Sequence, residues 1–198
     1  MPYLIFDLEM TGTESDYHDI IQIGAVLVDE QWNKVSEFES LVYPDNPETI
    51  SKYSEEIHGI SLSDLEDAPS AYDVFENFEN WIRKNLKRKQ NENIYDVILC
   101  GQSVINDINF LKFKYSELNI PWPFSSKLID LLTITFVFYK IFDCNGINRP
   151  KSMSLKSVAQ MFQIERDGDN HNALEDANIT YSCLKEYIKL SKQVKLTI

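Results

Sequence analysis

Short apolar blocks fill the beginning of the chain, and helical periodicity takes over afterwards. Residues 3–8 are apolar and too few for a helix, which predicts a strand. Residues 20–28 are rich in β-branched side chains, and 35–43 alternate. The polar stretch 29–34 between them suits a hairpin loop. Pro44 and Pro47 end the third strand. A short helix over 48–57 is expected to close at Gly59. Residues 70–89 place Val74, Phe75, Phe78, Trp81, Ile82 and Leu86 at helical spacing, the mark of an amphipathic helix. A buried strand follows at 96–101, then a helix from a Ser103 cap to about Leu118. A short strand at 127–130 passes into an apolar helix over 131–142. Residues 143–154 form a Gly/Pro/Asn loop, and the last two helices cover 154–162 and 172–189. Strands with hairpin character, then strands alternating with helices, give an α/β fold with a mixed sheet flanked by helices.

A length of 198 residues suits one domain over 1–198. With 43% apolar and 12% aromatic residues the chain fills a core, which excludes disordered and low-complexity classes. Acids outnumber bases 31 to 19, for a net charge of −12, against the basic balance of proteins that hold nucleic acid by general electrostatics. An enzyme that holds cations with carboxylates and touches only a strand end remains open. Cys100, Cys144 and Cys183 are odd in number and form no C-x-x-C pair, so neither a cysteine zinc site nor a disulfide framework is expected. The first residues reach an acid at position 7 without a basic region, unlike a signal peptide. The longest apolar run, 131–142, is shorter than a bilayer needs. A soluble cytoplasmic protein with no membrane partner is the expectation.

Three places concentrate chemistry. Asp7 and Glu9 stand two apart at the end of the first strand, so both carboxylates face one side, ~6.5 Å apart along the chain. Two acids ending a buried strand are costly unless a cation neutralises them, and a divalent metal would do so. The pattern alone is weak, because Asp64-Leu65-Glu66 repeats it where a solvated, helix-capping role suffices. Asp107 borders the apolar stripe Val104, Ile108, Leu111, Tyr115 and Leu118, so it faces the sheet; a first-turn acid also suits the helix dipole. Finally, His171 precedes a helix whose start, Asn172 with Glu175, resembles a capping box. The apolar stripe of that helix is Leu174, Ala177, Tyr181, Leu184 and Ile188. Asp176 lies beside it in a row of small residues, Ala173, Thr180 and Cys183, which lets the helix approach the first strand. The basic run 83–89 suits phosphate contact or the solvated end of a helix, and the latter is favoured.

Together these motifs resemble those of the DEDDh-type 3′–5′ exonucleases of the RNase H-like superfamily. The first motif is matched by Asp7-Leu8-Glu9-Met10-Thr11-Gly12, the second by 101–111 around Asp107, and the third by 171–177 as H-x-A-L-x-D-A. Residues 57–60, Ile-His-Gly-Ile, resemble a substrate-side element of the polymerase III proofreading branch, and Met10 resembles the oligoribonuclease branch. The second motif departs from the family in reading Gly101-Gln102-Ser103, with Asn106 before Asp107. The resemblance implies a five-stranded sheet of order 3-2-1-4-5 with the first strand central. It implies two Mg²⁺ or Mn²⁺ ions, with Asp7 bridging them, Glu9 and Asp176 on the first, Asp107 on the second partly through water, and His171 as general base. Met10, Thr11, Gly12, His58 and Ile60 would lie on the substrate side, with amides of Met10 and Thr11 near the terminal 3′-hydroxyl. The implied activity releases mononucleotides from single-stranded DNA or RNA 3′ ends. An oligoribonuclease-like hydrolase of short oligonucleotides and a non-catalytic nucleic-acid-binding domain are the alternatives.

Overall fold

The computed structural model describes residues 1–166 and 171–194. Five strands, β1 (Tyr3–Met10), β2 (Ile20–Val28), β3 (Lys34–Leu41), β4 (Ile98–Gly101) and β5 (Leu128–Asp130), form one sheet of order β3-β2-β1-β4-β5. The first three are antiparallel neighbours, and β4 and β5 run parallel to β1. This is the RNase H-like arrangement expected above. Among the described residues six α-helices flank the sheet: α1 (Lys52–His58), α2 (Ala71–Asn85), α3 (Ile105–Glu117), α4 (Leu131–Cys144), α5 (Leu155–Met161) and α6 (Ala173–Ser191).

The alternation of a strand sorts β1 between two cores. Leu4, Phe6 and Leu8 pack with Val74, Phe75 and Phe78 of α2 and Leu111 and Tyr115 of α3. Ile5 points the other way, toward Leu131 of α4 and Ala177 and Leu184 of α6. Asp7 and Glu9 share the parity of Ile5 and so face the α6 side. Every position of β2 is buried, which explains its unbroken apolar run. The edge strand β3 alternates exposed and half-buried positions and carries Lys34, Glu37 and Glu39, which discourage edge pairing. Each fully buried Leu, Ile or Phe contributes roughly 1.5–3 kcal/mol.

Several elements differ in extent from the sequence expectation. β1 continues two residues to Met10, so the acids lie inside the paired strand. The helix expected over 48–57 divides into a 3₁₀ turn at Pro47–Thr49 and α1, because the Ser51 side chain accepts the Ser54 amide and starts a new helix; Gly59, at φ 70°, closes it. α2 stops at Asn85, where Arg83 donates to the Glu92 carbonyl and Arg88 pairs with both oxygens of Asp96. Those two arginines therefore fasten the turn after α2. Ser103 does not cap α3. It has a positive φ of 53°, and its amide donates to Asp130. The Asp64 carboxylate accepts the Ser61 amide, as a local capping role requires. No helix among the described residues is long and apolar enough to cross a membrane.

Candidate active site

Asp7 pairs in register with Gly24 and Glu9 with Gln22 on the buried strand β2. Glu9 is only 7% exposed. Burial, then the charge of Asp107, pushes the Glu9 carboxyl up to about 7, against the pull of Arg166. Asp7 is raised well above the usual carboxylate range by burial first, then by Asp107 and Glu9, again against Arg166. Asp107, 6% exposed, comes from the first turn of α3 as its position beside the apolar stripe predicts. Its carboxylate accepts the amide of Leu8, the residue between the two strand acids. Burial outweighs the hydrogen bonds from Asp107's own amide and from Leu8 and, helped by Asp130, pushes Asp107 up to about 7.

The fourth acid arrives on α6, which packs directly onto β2. A Cβ at Gly24 would stand 2.0 Å from the Leu174 nitrogen and 2.2 Å from the Ala173 carbonyl carbon, so only glycine admits the helix here. Gln22 accepts the Ala173 amide at 3.0 Å, while its own amide and that of Asn172 both donate to Glu39. Asn172 caps the helix by accepting the Glu175 amide. The start of α6 is thus fixed on β2 and β3, beside the strand that carries Asp7 and Glu9. The face it buries is wider than the expected stripe: Ala173, Asp176, Thr180 and Cys183 are as deep as Ala177 and Leu184, whereas Leu174 and Ile188 are half-buried. The helix crosses β1 and β2 with its small residues inward, so the row expected beside the stripe forms the centre of the contact.

This brings Glu9, His171 and Asp176 together, with one potential ligand atom from each within 4.8 Å of the others. Asp176, 3% exposed at its side chain, receives His171 Nδ1 at 2.9 Å, while His171 is half-exposed. Burial, then Arg166, lowers the His171 pKa from its ordinary value, against Glu175. The Arg166 guanidinium reaches into the same cluster, pairing with Asp176 and lying 3.7 Å from Glu175. Glu9 Oε1 is buried without a hydrogen-bond partner among the described residues. An orphaned buried acceptor among hard oxygen donors and one imidazole suits Mg²⁺ or Mn²⁺, so the residues present fit the expected ions.

The expected substrate-side residues divide. His58 is 5% exposed and sits beside the cluster, since the His171 amide donates to the Ile57 carbonyl. Its Nδ1 accepts the Ile60 amide at 3.0 Å, so the proton resides on Nε2, which has no partner among the described residues. Met10 is half-buried and packs on the sheet core, and Gly12 lies under the His18 ring. Thr11 corrects the expectation that its amide faces substrate. It is fully buried, and its amide donates to the Asp19 carbonyl at 2.9 Å. Its hydroxyl meets Thr49 and the Asp19 amide, and its carbonyl accepts the Ser54 hydroxyl. Thr11 therefore clamps the loops at the end of β1. Behind it, buried Lys114 binds Asp19, Asp45 and Glu117 at 2.7–3.0 Å. Burial would lower its pKa, but these carboxylates outweigh it and hold the ammonium above its ordinary value.

Sequence reasoning missed Gly24, Gln22 and Asp130, whose roles depend on register and on the approach of distant segments. Asp130 accepts the amides of both Ser103 and Leu132, joining β5 and α4 to the turn before Asp107. Its place at the boundary between a strand and an apolar helix is the signal that could have marked it.

A family model described as an exonuclease, RNase_T, matches residues 4–184. The chain is 28% identical over 187 residues to the PolC-type DNA polymerase III of Bacillus subtilis, covering 94% of this chain and 11% of that protein. It is 30% identical over 179 residues to the 3′–5′ exonuclease DinG of Staphylococcus haemolyticus, covering 90% of this chain and 17% of that one. It thus spans a small part of these longer relatives. Among solved structures, the nuclease domain of 3′hExo, a DEDDh family member bound to rAMP, superposes with a TM-score of 0.75 at 18% identity, covering 100% of this chain and 96% of that one. Escherichia coli ExoI, solved with single-stranded DNA, gives 0.76 at 18% identity, covering 97% and 41%. The match along the sequence, the sheet order and the acids brought to the end of β1 agree: this chain belongs to the DEDDh-type 3′–5′ exonuclease family.

Proposed function

We propose that this protein hydrolyses the phosphodiester at the 3′ end of single-stranded DNA or RNA, releasing nucleoside monophosphates with the help of two Mg²⁺ or Mn²⁺ ions. The observation that carries this reading is His171 held by Asp176 beside the buried carboxylate of Glu9. Asp7, Glu9, Asp107 and Asp176 would hold the cations, which when bound polarise the phosphoryl group and acidify the attacking water. His171 is the general base. Its Nδ1–H donates to Asp176, leaving Nε2 as the acceptor for the water proton, and its lowered pKa keeps it neutral at working pH. The buried Asp176 orients the ring and stabilises the imidazolium formed when the proton arrives. His58, whose Nε2–H has no partner among the described residues, would serve as a donor to the terminal nucleotide, with Ile60, Met10 and Gly12 on the same substrate side. Thr11 holds that side from behind.

ExoI, solved with single-stranded DNA, supports a single-strand substrate, and 3′hExo, solved with rAMP, supports a site that accepts a nucleoside monophosphate. The deciding experiment incubates the protein with 3′-labelled and 5′-labelled single-stranded DNA, RNA and dinucleotides, in Mn²⁺ and in chelator. Stepwise shortening from the 3′ end in Mn²⁺, absent in chelator and in Asp7→Asn, is expected. Cleavage of dinucleotides alone would replace this reading by the short-oligonucleotide one. Binding without cleavage, unchanged in Asp7→Asn, would leave a non-catalytic domain.

A further inference from the structure

Nearly all the carboxylates of the active site are buried and close, yet their charge is not left uncompensated. Arg166 donates into the cluster from the segment before α6. Its guanidinium pairs with Asp176, lies 3.7 Å from Glu175, and acts electrostatically on Asp7 and Glu9. One arginine thus addresses three of the four residues assigned to the cations. Its side chain is 21% exposed, so it approaches from the open side. There it lines a cavity of about 850 Å³ with Lys156, Gln160, Gln163 and His171. A guanidinium and a divalent ion cannot share the oxygens of Asp176 without mutual repulsion.

Resting on the metal-dependent reading above, we infer that Arg166 is a built-in counter-cation: it occupies the acid cage before metal arrives, and divalent ions displace it toward the adjoining cavity. Arg166 then sets the metal concentration at which the site loads. It also keeps the fold intact without metal, by supplying positive charge where a Glu9 oxygen has no hydrogen-bond partner among the described residues. A guanidinium suits this role because its planar fork matches carboxylate oxygens, stays charged at every working pH and is more weakly hydrated than ammonium, which eases its exchange. The displaced group stays tethered on the His171 side, where it does not block the other ligands.

The test uses Mn²⁺ itself. Titration of wild type, Arg166→Gln and Arg166→Lys by electron paramagnetic resonance of free Mn²⁺ gives the dissociation constants without reference to activity. Arg166→Gln is expected to bind Mn²⁺ at least about tenfold more tightly, the factor equivalent to one charge-assisted hydrogen bond no longer broken. Arg166→Lys, which keeps the charge but loses the fork, should fall between. In chelator Arg166→Gln should melt below wild type, and Mn²⁺ should close that gap.

A second measurement needs no substitution. Arginine-specific dicarbonyl labelling of wild type, mapped by mass spectrometry, should mark Arg166 slowly in chelator and several-fold faster in saturating Mn²⁺. If Arg166→Gln does not fold, this labelling decides. Equal or weaker Mn²⁺ affinity in a folded Arg166→Gln, or labelling unchanged while wild type binds Mn²⁺, would overturn the counter-cation alone. No Mn²⁺ binding by either protein would overturn it together with the metal-dependent reading.

Discussion

His171 and Asp176 show how much of this site rests on a single hydrogen bond. The imidazole is half-exposed and its Nδ1 is 2.9 Å from a carboxylate that is almost wholly buried. A ring so placed contributes little to packing, and under the proposed reaction its work is proton transfer. His171→Ala should therefore reduce kcat by about 10²–10⁴-fold, the usual worth of a general base, with a far smaller change in KM. Its thermal melt should stay close to wild type; a large drop in melting temperature would make the histidine a structural residue. Thr11 offers the opposite case. Its position in the first motif suggests substrate contact, but its amide, hydroxyl and carbonyl are all engaged inside the protein.

Among elements, α6 governs the site, because it carries Asp176 and follows His171 while resting on β2. The contact tolerates no side chain at Gly24, where even a methyl group would meet backbone at 2.0 Å. Gly24→Ala should lower stability by about 1–3 kcal/mol, as overpacking does. It should also slow the chemistry more than tenfold by lifting Asp176 from Glu9, a displacement of ångström scale being enough for such a loss. Measuring melting temperature and kcat at saturating Mn²⁺ checks both, and unchanged kcat would show that the helix start is not held through this strand. The acids themselves were legible in the sequence. Asp7 and Glu9 end an apolar run, Asp107 borders an apolar stripe, and Asp176 stands among small residues that allow close approach. What escaped depends on which strands become neighbours: Gly24 and Gln22 acquire their meaning only once β2 pairs with β1 in this register. Ser103 reads locally as a cap, but the tertiary bond to Asp130 takes its amide and sets its backbone otherwise. The true inward face of α6 was shifted because that helix crosses two strands rather than following one.

For the whole molecule, the acid cage makes stability depend on pH and metal together. Glu9 and Asp107 are both pushed up to about 7, by burial foremost. A carboxyl whose folded pKa exceeds its unfolded value near 4 holds its proton more tightly when folded. The stability it contributes is complete below that unfolded value and is lost as pH rises through the folded one. In chelator the melting temperature should therefore fall between about pH 4 and pH 7, and saturating Mn²⁺ should flatten the decline near its upper end. A chelated sample whose stability rose over that interval would contradict the assignment. The pairing of the arginines carries a wider consequence. Arg83, Arg88, Arg149 and Arg166 are all engaged with acids of the same chain, as is buried Lys114, in a molecule of net charge −12. Under the proposed function a polyanionic strand would meet a surface whose arginines are already paired, and the ions in the cage would be its main electrostatic anchor. By thermodynamic reciprocity, oligonucleotide and metal would then each sharpen the other's grip by the same factor, so that the proposed substrate end would help to load the ions its own cleavage needs.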